Sequence, residues 1–106
     1  MDIKKITNRA EAMISKIVAA EVIEKHWVTH YGANDIHPRH LVFWICVQSD
    51  KERDRLQSDN ALMGRLKQTL VDVNYPEEGR DYVHIGFESQ ETVDRESNGN
   101  WYHHWK

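Results

Sequence analysis

A single cysteine, Cys46, stands among 106 residues. It excludes an intramolecular disulfide and favours a reducing compartment, so the cytoplasm is the expected location. No stretch approaches the roughly 20 apolar residues needed to cross a bilayer. Lys4 and Lys5 resemble the start of a secretion signal, but Asn8, Arg9 and Glu11 interrupt any apolar run after them. No repeat, linker or low-complexity tract is present. The nucleophile elbow G-x-S-x-G, the phosphate-binding P-loop and the dinucleotide fingerprint G-x-G-x-x-G are all missing.

What the chain does contain is enough for one ordinary folded domain spanning 1–106. The hydrophobic fraction is 40% and the charged fraction 29%. Four Trp, four Tyr and two Phe supply large groups to bury. The net charge is −3, but its distribution says more. Residues 1–76 carry 11 Lys/Arg against 10 Asp/Glu, whereas residues 77–106 carry 3 against 7. An acidic C-terminal third argues against nucleic acid as a partner and suits a basic protein.

Periodicity predicts the elements. Between Asp2 and Lys25, Ile3, Ile6, Ala10, Met13, Ile17 and Ala20 recur at helical steps, with Ile14, Val18 and Ile23 widening the stripe. Residues 31–39 read as a loop with Pro38 as its breaker. Leu41 to Val47 is an unbroken apolar run, read as the centre of a buried strand from His40 to Val47 that needs cover on both faces. Ser49 and Glu52 have the spacing of a capping box, and Ser58-Asp59 offers a second helix-start signal where the helix can break. Leu62, Met63, Leu66, Leu70 and Val73 form an apolar stripe that Tyr75-Pro76 ends. Val83, Ile85 and Phe87 alternate with Tyr82 and His84, as in a half-buried strand. Asn98-Gly99 then predicts a type I′ hairpin turn. The expected architecture is α+β in the order α-β-α-β-β: a small, mostly antiparallel, three-stranded sheet with two helices packed on one face.

On that reading a hairpin register pairs Glu96 with Trp101 and Asp94 with His103. Its outward face collects Tyr82, His84, Glu88, Asp94, Glu96, Trp101, His103 and Trp105. Aromatic groups supply contact area and carboxylates steer a basic partner, so this face is the expected binding surface. A bulge between Glu88 and Glu91 would reverse the faces and bury both tryptophans.

Seven histidines raise a second chemistry. His26, His30, His37 and His40 are the candidate metal ligands, the first two sharing a face if the helix reaches them. Trp27 stands where a zinc protease needs its glutamate, which excludes that activity. Cys46 reads as core packing, Ser49 and Ser58 as helix caps, and the alternating charges of residues 50–55 as a solvated helix surface. No cofactor is implied. The expected function is a protein-interaction module binding a basic partner, such as an inhibitor or immunity-type protein neutralising a nuclease toxin. The alternative is a small histidine-based metal-binding enzyme or sensor. A homodimer through residues 40–47 is compatible with either.

Overall fold

The computed structural model describes residues 3–32 and 38–105, with the backbone alone at 102 and 103. Helix α1 (Ile3–Glu21) leads into strand β1 (His26–Tyr31). A short 3-10 turn (Pro38–His40) precedes β2 (Val42–Val47). Helices α2 (Asp50–Gln57), α3 (Asn60–Asp72) and α4 (Glu77–Arg80) then connect to β3 (His84–Ser89). The chain ends in α5 (Gln90–Ser97) and α6 (Trp101–His104).

The three strands form one mixed sheet in the order β1-β2-β3. β1 runs antiparallel to β2, and β3 runs parallel to it. The α+β class and the three-stranded sheet are those the sequence predicts. The third strand, however, comes from residues 26–31 rather than from the C-terminus.

Strand alternation divides the sheet into two faces. Phe43, Ile45 and Val47 point into the main core with Ile85 and Phe87. Ala10, Ile14 and Val18 of α1 and Leu62, Leu66 and Leu70 of α3 cover them. Each fully buried aliphatic or aromatic side chain contributes about 1.5–3 kcal/mol by leaving water. An exposed ion pair contributes about 0–1 kcal/mol. The apolar layer, not the charge pairs along α2, therefore holds the domain together.

The helix starts follow their predicted caps. Ser49 Oγ accepts from the Glu52 amide at 3.2 Å, and Asp59 accepts from the Leu62 amide at 2.9 Å. The reciprocal arm of the capping box is replaced. The Ser49 amide donates to Glu24, 2.9 Å away, while Glu52 pairs with Arg55. Glu24 thereby ties the α1–β1 connection to the start of α2.

Two predictions fail for definable reasons. The first helix ends at Glu21, and residues 26–31 form an edge strand. Trp27, Val28, Thr29 and Tyr31 are strand-favouring residues, and a tertiary partner in β2 decides for the strand. The C-terminal hairpin does not form, so its proposed pairs, Glu96 with Trp101 and Asp94 with His103, do not exist. Asn98 and Gly99 do take positive φ, +51° and +78°. They use it to terminate α5, where the Gly99 amide returns to the Val93 carbonyl at 3.1 Å. A left-handed helix terminus and a type I′ turn make the same local demand. Ser89 settles the choice by capping α5 from the Thr92 amide.

Candidate functional site

The second face of the sheet presents Trp27, Thr29 and Tyr31 from β1, Trp44 and Cys46 from β2, and His84, Gly86 and Glu88 from β3. α6 folds back over it and brings all four tryptophans together. Trp101 meets Trp27 edge-on at 5.0 Å. Trp105 stacks on Trp44 at 5.4 Å and touches Trp101 at 5.1 Å. Trp101 Nε1 donates to Gln90 at 2.8 Å, and Trp44 Nε1 donates to the Tyr31 hydroxyl at 3.2 Å. Gly86 is what leaves room for Trp44: a Cβ there would stand 2.6 Å from its ring.

Two residues of the predicted binding surface sit in this layer. Trp101 and Trp105 are partly buried in this aromatic layer. Replacing Trp101 by Ala would therefore remove packing as well as any binding contact. Tyr82 is 67% exposed, and His84 is exposed with its ring edge-on to Trp44 at 5.5 Å. Asp94 and Glu96 are exposed on α5. The His103 side chain lies outside the described residues.

Glu88 is drawn into a polar cluster. It accepts from Arg53 at 2.9 Å, from the Ser89 amide at 2.9 Å and from His104 Nε2 at 2.8 Å. Burial pushes its carboxyl upward, but the hydrogen bonds from His104, Ser89 and Arg53 outweigh this, leaving it below its usual range. Asp50, at the first turn of α2, accepts from Ser89 Oγ, from Thr92 Oγ1 at 2.6 Å and from Arg95 at 2.9 Å. The two hydroxyls, reinforced by Arg95, hold Asp50 well below the usual carboxylate range. Asp50, Ser89, Thr92 and Arg95 thus lock α5 onto α2. The sequence reading missed this lock, although a serine three residues before Thr92 signals a helix start.

α5 turns its remaining charges to solvent. Glu91, Asp94, Arg95 and Glu96 are all exposed; Glu91 accepts from the Asp50 amide at 2.7 Å, Asp94 accepts from Gln90 at 2.9 Å, and Arg95 pairs with Asp50. Beside β3 lies an open cleft of about 590 Å³, bounded by Trp44, Arg53, Asp54, His84 and Glu88.

Three of the four candidate metal ligands lie within the described residues. His26 and His30 lie on a strand, where four residues span about 13 Å. His26 Nδ1 is 2.9 Å from the Glu24 carbonyl, and His30 Nδ1 is 2.8 Å from Glu11. His40 is exposed on the 3-10 turn, and His37 lies outside the described residues. Among the described residues, no three His, Cys, Asp or Glu side chains converge as metal ligands. Cys46 is buried, and desolvation, reinforced by the charge of Glu88, pushes its thiol up to about 12. Among the described residues no helix is long and apolar enough to cross a membrane. The chain matches no family model, no curated protein and no solved structure, so the site is read from its own geometry.

Proposed function

We propose that the protein is a small interaction module that binds a basic protein partner through the acidic outer face of α5. An inhibitor or immunity-type protein that covers a positively charged active site, such as that of a nuclease toxin, fits this description. The observation that carries the reading is the unequal commitment of charge on α5. Its cation, Arg95, is paired with Asp50, Glu91 accepts from the Asp50 amide at 2.7 Å, and Asp94 and Glu96 add two exposed carboxylates. Such a surface raises the encounter rate with a cationic partner by about 10- to 1000-fold at low salt.

The test is co-purification from native lysate with the wild type, with Glu96→Lys and with the triple reversal Glu91→Lys/Asp94→Lys/Glu96→Lys. A stoichiometric basic partner should remain with the wild type, weaken in the single variant and be lost in the triple one. Retention by all three would place the contact on another face. Absence of any partner would reject the reading.

A further inference from the structure

A hydroxyl, an imidazole and a carboxylate stand in hydrogen-bonded series where α5, α6 and β3 meet. Ser97 Oγ lies 3.1 Å from His104 Nδ1, and His104 Nε2 lies 2.8 Å from Glu88 Oε2. This is the order that nucleophilic catalysis requires: a nucleophile, its base, and a group that orients the base. The three residues come from three elements, so the fold alone brings them together.

The surroundings suit the roles. Arg53 and the Ser89 amide keep Glu88 ionised. A charged Glu88 favours the tautomer with its proton on Nε2, which turns the lone pair of Nδ1 toward Ser97. The His104 and Glu88 side chains are each only 14% exposed, so water competes weakly for this bond. Ser97 is the last residue of α5. Ser97 also borders an open cleft of about 550 Å³, with Glu96, Asn98 and Asn100 as its other walls. The backbone amides of Gly99 and Asn100 are taken by the Val93 and Ser97 carbonyls. Those two backbone amides are therefore not donors for an oxyanion, which suits slow turnover of reactive esters only.

We propose that Ser97 is a nucleophile toward small neutral or cationic carboxylic esters, with His104 as its base and Glu88 as the residue that positions the base. Glu96 in the cleft wall disfavours anionic substrates. Ser97 Oγ bonds to the ester carbonyl carbon as its proton passes to His104 Nδ1. The bond from that carbon to the alcohol oxygen breaks, and His104 returns the proton to the departing alcohol. Water, deprotonated by the same nitrogen, then cleaves the acyl-serine, releasing the carboxylic acid and restoring Ser97. The proposal is independent of partner binding, since either can fail while the other holds.

The test treats the full chain with an alkyl fluorophosphonate, which bonds phosphorus to a reactive serine oxygen with loss of fluoride. Peptide mass spectrometry should locate the adduct on Ser97. Ser97→Ala should abolish it, and His104→Gln should slow it at least about 100-fold, the usual loss when a general base is removed. Hydrolysis of p-nitrophenyl acetate should fall in parallel, with near-UV circular dichroism reporting whether each variant is folded. An unlabelled Ser97, or a labelling rate unchanged by His104→Gln, would overturn the proposal and leave the series as a clasp for α6. Should His104→Gln unfold the tail, the presence or absence of the wild-type Ser97 adduct decides the matter.

Discussion

Asp50 shows how much one side chain can organise. It opens α2 and yet accepts bonds from Ser89 at the end of β3 and from Thr92 and Arg95 of α5. Its depressed titration makes the lock pH-dependent, and the sign follows from linkage. The folded state holds the proton of Asp50 more weakly than the unfolded chain does. Its contribution is therefore fully present above the unfolded carboxylate range, near 3.9, and is lost as pH falls through the lower folded value. Chemical denaturation of Asp50→Asn should give a lower stability than wild type at pH 7. The gap should narrow below about pH 4, the ordinary aspartate range. A constant difference across that range would refute the assignment. The cap at Ser49 was legible in the sequence, and the second was located to Ser58-Asp59, because capping depends on neighbours three residues apart. In the structure Asp59 is the N-cap of α3 and Ser58 the C-cap of α2. The partners of Asp50 were not, because they lie about 40 positions away and nothing local announces them.

At the scale of elements, α5 carries the clearest lesson. Its N-terminus depends on Ser89, whose hydroxyl both accepts from the Thr92 amide and donates to Asp50. Ser89→Ala should cost about 1 kcal/mol from the cap, plus the loss of one support for the charged carboxylate. Thermal denaturation would measure it, and an unchanged melting temperature would show that α5 needs no cap. The dipeptide Asn98-Gly99 was correctly read as a place of positive φ but assigned to the wrong element. The backbone requirement is local, whereas the choice between helix terminus and hairpin turn depends on what lies on either side. The strand at residues 26–31 was obscured for a related reason. His26 and His30 suit a helix face or a strand face alike, and only the ladder to β2 separates them.

At the scale of the whole molecule, the sheet is covered on one side by α1 and α3 and on the other by the tail carrying Trp101 and Trp105. The expectation that residues 41–47 need cover on both faces is met from within the chain. Removing residues 101–106 should expose Trp27, Trp44 and Cys46. Increased binding of an apolar dye and faster alkylation of Cys46 by iodoacetamide would report this, and unchanged values for both would mean the tail contributes nothing to the covering. The candidate acidic surface was legible as a charge imbalance in the last third of the chain. Its aromatic half was not, since helical folding turns the tryptophans inward while leaving Glu91, Asp94 and Glu96 outside.

The sequence by itself determined the α+β class, the core positions along β2 and α3, and the starts of α2 and α3. All of these rest on periodicity or on contacts within one helical turn, where local energies decide. Only the tertiary structure decided which segment supplies the third strand, which face receives the tail, and that Glu88, His104 and Ser97 meet. Those outcomes join residues far apart in the chain, and they are selected by the burial of one apolar surface against another.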